Sequence, residues 1–228
     1  MMLAAGGDLW LDNPVFRNQL PGAILETLWM TGTTVLFTVL IGLPLGLLLH
    51  NIGPKGLRPA AVLYRLLSLV VDFGRSVPFI VLMVWMIPVT RMIVGTAVGW
   101  EAAVVPLTVG AIPFFARMVE NSLREVAWGK VEAVRMMGAS NFRVTTNVLL
   151  REALPGIVGG LTITSVTLIS FTAMAGAVGG GGLGQLAINY GYQRYQGDVM
   201  LVCVLLLVLI VSAVQYSGNF AARRLDRR

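Results

Sequence analysis

Charge is what this 228-residue chain has least of: 12% of its residues are Asp, Glu, Lys or Arg, against 56% hydrophobic. Soluble domains carry about a quarter charged residues, so half of the usual polar surface is missing and water cannot be the main solvent. Cysteine and histidine occur once each, as Cys203 and His50. A single cysteine excludes an intrachain disulfide and a thiolate cluster for a metal; Cys203 stands in an apolar run and reads as packing. One histidine, with no H-E-x-x-H pair and no G-x-S-x-G elbow, leaves an intramembrane hydrolase without its parts. His50 reads instead as an end-of-helix residue at the inner interface. No G-x-x-x-x-G-K-[ST] occurs, so nothing here forms a P-loop for ATP. Gly179, Gly181 and Gly184 satisfy G-x-G-x-x-G by spacing, but a dinucleotide fingerprint follows a strand and opens a helix, and these follow an apolar run. They read as backbone that bends and packs closely. Neither a metal site nor a resident cofactor is expected.

What is present is a series of long apolar runs. A spanning helix needs about 20 apolar residues. Leu28 to Leu49 and Val199 to Ala222 carry no charge and form the first and last spans. No charge occurs between Ala153 and Gln193 either, and the glycines from Gly179 limit that helix to its first part. Ala60 to Val89 is interrupted by Arg65, Asp72 and Arg75, with Gly74 and Pro78 close behind. Proline removes a backbone donor and biases its predecessor away from helix, which predicts a kinked or broken span around Asp72 to Pro78. Ala102 to Ala116 is short and reaches across if Glu101 and Arg117 snorkel towards the two interfaces. The expectation is an all-α polytopic membrane protein, a single domain over 1–228 with five spans at about 22–50, 60–90, 101–121, 153–178 and 199–222.

An odd number of spans puts the termini on opposite sides. The net charge is +6, and the basic residues sit between apolar segments, which argues against a nucleic-acid surface. With the C-terminus inside, eleven basic residues fall on the inner side: Lys55, Arg58, Arg124, Lys130, Arg135, Arg143, Arg151, Arg223, Arg224, Arg227 and Arg228. Arg17, Arg91 and Arg194 fall outside, and Arg65, Arg75 and Arg117 lie in or beside spans. The positive-inside rule then predicts the N-terminus out and the C-terminus in. Met1 to Pro21 contain Asp8 and Asp12 and no basic n-region, so they do not read as a cleaved signal. They read as an outer or interfacial segment, with Trp10 and Phe16 suited to the membrane surface.

The inner stretch 122–152 is too polar for lipid and has helix grammar of its own. Lys130 to Met137 reads as a short helix that Gly138 can stop in a left-handed conformation. Ser140 can cap a second helix through Leu150, and Pro155 suits the first turn of the next span. Two short helices there make a projecting knob, and the small residues Ala133, Gly138 and Ala139 would let a partner's backbone come close.

The run Glu132-Ala133-Val134-Arg135-Met136-Met137-Gly138, with Val148, Leu150 and Leu154-Pro155 after it, resembles the EAA loop of binding-protein-dependent ABC importer permeases. Val134 stands in place of the usual second alanine, and Arg151 where a proline often follows the leucine. The resemblance implies that Glu132, Ala133, Gly138 and Ala139 belong to coupling helices that insert into a groove on a cytoplasmic ATPase. Arg75-Ser76-Val77-Pro78-Phe79-Ile80, Trp85-Met86-Ile87-Pro88, Ala116 to Asn121, Ala173 to Gln185 and Tyr190-Gly191-Tyr192 are similar to the methionine importer branch of that family. A type I importer permease of this kind implies a homodimer with the pathway between two copies, in a bacterial inner membrane. It also implies two ATPase subunits that carry ATP and Mg, and a periplasmic or lipoprotein substrate-binding protein. The function implied is import of methionine (the L form, with D also a candidate), with another small amino acid or a methionine derivative as the alternative. An ATP-independent secondary transporter or a membrane scaffold is the reading from another class.

Charges within spans are functional candidates because burying them is costly. Asp72 with Arg75, and Arg117 with Glu120, are three apart and could neutralise each other along a helix. In the fourth span the hydroxyl residues read mainly as close helix packing, with Ser165 and Met174 as candidates to line a pathway. Gly179 and Gly182 are candidates for an outer gate.

Overall fold

A computed structural model describes residues 13–226 of the chain. Asp8, Trp10 and Asp12, and the tail residues Arg227 and Arg228, lie outside the described residues. The described residues form helices and no strands. A short helix α1 (Pro14–Asn18) leads into α2 (Leu20–Ile52), whose 33 residues make about 50 Å of helix. The second apolar segment is in pieces: α3 (Ala61–Ser76), α4 (Phe79–Trp85) and α5 (Ile87–Val94). Helix α6 (Trp100–Arg124) follows, then the short α7 (Trp128–Met136) and α8 (Asn141–Val144). A π-helical turn, Thr145–Leu149, joins α8 to α9 (Leu150–Gly176). Last come α10 (Gly182–Leu186), a π-helical turn at Ala187–Tyr192, and α11 (Gly197–Leu225).

Four of these stretches are long and apolar enough to cross a membrane: Leu20–Ile52, Trp100–Arg124, Asn141–Gly176 and Gly197–Leu225. The pair α3–α4 makes a fifth if taken as one broken span, with a 98° bend at its break. Pro78 N-caps α4, and Val77 before it is extended (ψ 125°). The break therefore sits where the proline forbids the helix of its neighbour.

The bundle has two chemically different ends. One, the basic end, carries the α2 and α6 C-termini, α7, α8 and Leu225 of α11. The far end carries the α2 and α11 N-termini and the loop before α10. Helix α2 packs closely on α6 through Gly42, against Ile112 and Phe115, and Gly46, against Ala116 and Val119, and its Thr31, Thr34 and Thr38 are buried as well. A Cβ on Gly46 would lie 2.6 Å from both the Ala116 carbonyl oxygen and Val119 Cβ, so only glycine admits this approach. In a membrane, where hydrophobic burial does not drive helices together, such close van der Waals contact holds a helix pair. Cys203 is buried in a far-end cluster with Val15, Leu183, Leu186 and Val199, as packing.

Two sequence expectations need correction. The second helix of the loop is not separate from the next span: 36 residues from Asn141 to Gly176 run as one helix. The π turn at Thr145–Leu149 inserts an extra residue into the ladder without breaking it. Pro155 is consequently an interior proline of α9 and not a first-turn residue. Arg117 does not snorkel to an interface. Its side chain is 11% exposed and is held inside the bundle by polar partners, described next.

Candidate functional site

The basic end is built on a charge cluster. Glu120 of α6 is fully buried and meets Arg117 one turn before it and Arg124 one turn after it. The i,i+3 and i,i+4 spacings put all three on one helix face. Tyr64 of α3 donates its hydroxyl to Glu120 Oε1 (3.1 Å) and accepts from Arg124 (2.6 Å). Arg117 also reaches α3, donating to Ser68 Oγ (2.7 Å) and to Asp72 Oδ1 (2.8 Å). Asp72 is shared with Arg75 at 3.6 Å. The sequence suggests two separate pairs; the structure links them into one network that clamps α3 to α6. Burying carboxylates and guanidinium groups is tolerable only when they are paired and hydrogen-bonded like this. His50 lies in the last turn of α2, as the sequence suggests, and is buried beside this end.

The knob projects below this cluster. Gly138 follows α7 with φ +81°, the left-handed conformation that ends a helix, and its N–H donates to the Arg135 carbonyl. Ser140 accepts from the Arg143 N–H (3.4 Å) as N-cap of α8. Val131 and Val144 are buried, and Val134 and Ala139 pack on the same core. Glu132, Ala133 and Gly138 are left on the surface, beside Met136 and Met137, each 85% exposed. Lys130 of α7 bonds Glu152 at the start of α9, tying the knob to a span.

The far end is held chiefly by backbone N–H groups. Gly179, Gly181 and Gly182 all have positive φ, which glycine adopts without strain. The N–H of Gly182 donates to Glu26 Oε2 (2.7 Å) and that of Leu183 to Thr27 Oγ1 (2.9 Å). The Gly99 N–H donates to the Gly179 carbonyl (2.9 Å). A cavity of about 490 Å³ opens here, with Gln19, Glu26, Gly99, Asn189 and Tyr190 in its wall. Glu26 and Thr27 are missed by the sequence reading. The signal was available: Glu26 is the sole acid within 22–50.

In α9, Met174 is 41% exposed, whereas Ser165 is buried with its hydroxyl donated to the Leu161 carbonyl (2.8 Å). Thr167 and Ser170 are the more open hydroxyls of this helix. The candidates Met174, Gly179 and Gly182 fall at the far end, away from Glu132, Ala133, Gly138 and Ala139. Among the described residues no group of three or more His, Cys, Asp or Glu could hold a metal.

Residues 42–228 match the family model described as binding-protein-dependent transport system inner membrane component. The chain is 50% identical over 206 residues to the probable D-methionine transport system permease protein MetI of Vibrio cholerae, covering 90% of this chain and 92% of that one. It is 53% identical over 153 residues to the D-methionine transport system permease protein MetI of Escherichia coli K12, covering 67% and 70%. Its fold superposes with TM-score 0.92 and 49% identity on a chain of the MetNI methionine ABC transporter in an inward-facing conformation, over 95% of this chain and all of that one. An amino acid ABC transporter with histidines shares the fold at TM-score 0.76 and 18% identity. With a projecting knob, a bundle of spanning helices and this match over most of its length, the chain belongs to the inner-membrane components of binding-protein-dependent transport systems: it is an ABC importer permease and not an enzyme.

Proposed function

We propose that this chain is the transmembrane subunit of an ATP-driven methionine importer, working as a homodimer with two cytoplasmic ATPase subunits and an outer substrate-binding protein. ATP and Mg belong to the ATPases. The basic end faces the cytoplasm and the far end faces out, following the excess of Lys and Arg. The observation that carries the reading is the exposed Glu132–Ala133–Gly138 surface of the knob, which Lys130–Glu152 ties to α9. An ATPase that grips this surface and changes shape on binding ATP moves α9, whose other end carries Met174 and leads into Gly179–Gly182. The cycle is alternating access: nucleotide shifts the population between inward- and outward-facing states. Methionine as cargo is supported by the names of the relatives, which specify D-methionine, and by the solved methionine transporter.

The exposed polar face of α3 supports a second copy at the centre. Arg65, Asp72, Arg75 and Ser76 are exposed on the isolated chain, and charges facing hydrocarbon are costly. That face therefore turns to protein or to a water-filled path, as an interface between two copies provides. ATP-dependent uptake into proteoliposomes holding the permease, its ATPase and its binding protein tests the reading. L- and D-methionine are compared with other amino acids, with and without ATP, using wild type and Gly138→Asp. Methionine uptake that needs ATP and collapses in the variant is the expected result. ATP-driven uptake of another amino acid would change the cargo, and uptake indifferent to ATP would remove the importer reading.

A further inference from the structure

A cavity of about 220 Å³ lies midway along the bundle, where the α3–α4 break faces the middles of α6 and α9. Its wall is mostly apolar: Phe79, Leu82, Phe114, Leu168 and Phe171, with Phe79 and Phe171 stacked at 4.4 Å between ring centroids. Its polar features are few and placed with chemical sense. Arg75 stands at its edge, its guanidinium 5.9 Å from the centre of the Phe114 ring. Thr164 and Thr167 line the α9 side. Both hydroxyl protons are already donated to the helix, to the Gly160 carbonyl (2.7 Å) and the Ile163 carbonyl (2.9 Å). What these two oxygens offer a ligand is therefore lone pairs, which accept and do not donate.

We infer that this cavity is an intramembrane cargo subsite for a zwitterionic amino acid with an apolar side chain, bound through Arg75 by its carboxylate. The inference rests on the importer reading above and names the site that the cargo occupies in transit. Size is the first argument: the cavity is smaller than the roughly 300 Å³ at which pockets for drug-sized ligands begin, so it suits one amino acid. Shape chemistry is the second. A flexible thioether or branched alkyl chain packs against aromatic faces, and sulfur in particular contacts rings favourably. The third is charge. In the network above, the guanidinium groups of Arg75, Arg117 and Arg124 share the carboxylates of Asp72 and Glu120, so the cluster is one anion short of neutrality. Arg75 is its least committed member, with its nearest carboxylate at 3.6 Å, while Asp72 is held closer by Arg117 at 2.8 Å. A ligand carboxylate at Arg75 supplies the missing anion, and its ammonium meets the hydroxyl oxygens of α9.

The test uses the permease–ATPase complex purified without binding protein, with binding of labelled L- and D-methionine measured at equilibrium. Competition by 3-(methylthio)propylamine, which keeps the side chain and ammonium but lacks the carboxylate, is measured alongside. Arg75→Gln preserves the Asp72–Arg117 bond and so the clamp; Thr167→Phe fills the cavity from its open side. The expected results are saturable methionine binding to wild type, at least about tenfold weaker in Arg75→Gln, with the amine's affinity unchanged. Thr167→Phe loses both ligands while the complex still hydrolyses ATP. Equal methionine affinity in wild type and both variants would overturn the subsite, as would no saturable binding to a wild-type complex that still imports methionine. If the full system imports a different apolar amino acid, the methionine reading fails. The subsite then stands if that cargo shows the same dependence on Arg75, and falls if it does not.

Discussion

The two ends of the bundle are held together by different chemistry. At the basic end, ionised side chains join α3 to α6, through Arg117, Glu120, Arg124 and Asp72 around Tyr64, and α7 to α9, through Lys130 with Glu152. At the far end, the loop before α10 is joined to α2 and α6 by backbone N–H groups, whose partners are Glu26, Thr27 and the Gly179 carbonyl. The first kind of contact is strong only while every partner is present, because a buried charge left alone is very costly. The second depends on backbone shape, and thus on glycines that no other residue replaces without strain. In the proposed cycle the charged end takes the push from the ATPase and moves as a clamped unit, and the glycine-built end is where the path opens.

The largest effect is expected from Glu120→Ala. It leaves two guanidinium groups without their shared carboxylate and should cost about 3–5 kcal/mol, read as loss of monodisperse complex on size-exclusion chromatography in detergent. The far end should break by a steric route instead. Gly182 has φ +73°, and a Cβ there would lie 2.6 Å from Thr27 Oγ1. Gly182→Ala should cost roughly 1–3 kcal/mol, seen as a lower thermal unfolding midpoint, whereas Thr27→Ser, which keeps the acceptor, should leave the midpoint nearly unchanged. Gly138→Ala sharpens the contrast between glycines. It shares the positive φ but has nothing within 4 Å of its Cβ position, so only backbone strain of about 1–2 kcal/mol is at stake and folding should survive. Smallest is Lys130→Ala, which removes a half-exposed ion pair worth about 1 kcal/mol or less. Its stability should match wild type, with uptake per ATP hydrolysed reduced because α7 is then held to α9 by apolar packing alone.

The long spans were legible because apolar length is a local property: Leu28–Leu49 and Val199–Ala222 read directly as helix, and Pro78 announced the break in the second span. The knob was legible through its turn chemistry, Gly138 as stop and Ser140 as cap. Its second helix was misread as separate, because a π turn at Thr145–Leu149 leaves no residue-type signature to set it apart from an interhelical turn. The pairings that hold the ends were mostly illegible. Glu26 with Gly182 and Tyr64 with Glu120 are separated by 156 and 56 residues, and periodicity within a helix says nothing about such partners. The small residues from Thr31 to Gly46 lay in plain view at spacings of three and four, but their meaning depends on which helix lies opposite. Arg117 was misplaced for a related reason: a span that looked too short without snorkelling runs through the charge to Arg124, since Asp72 and Glu120 neutralise it from within.

In the proposed cycle, nucleotide bound by the ATPases at the basic end switches the far end. The most direct measurement is thiol labelling of Met174→Cys in the assembled complex, with Cys203→Ser as background, without nucleotide and with a nonhydrolysable ATP analogue. A labelling rate that changes at least about tenfold with nucleotide, and no longer changes in Gly138→Asp, is the predicted result. The same rate in every nucleotide state, in a complex that still hydrolyses ATP, would contradict it.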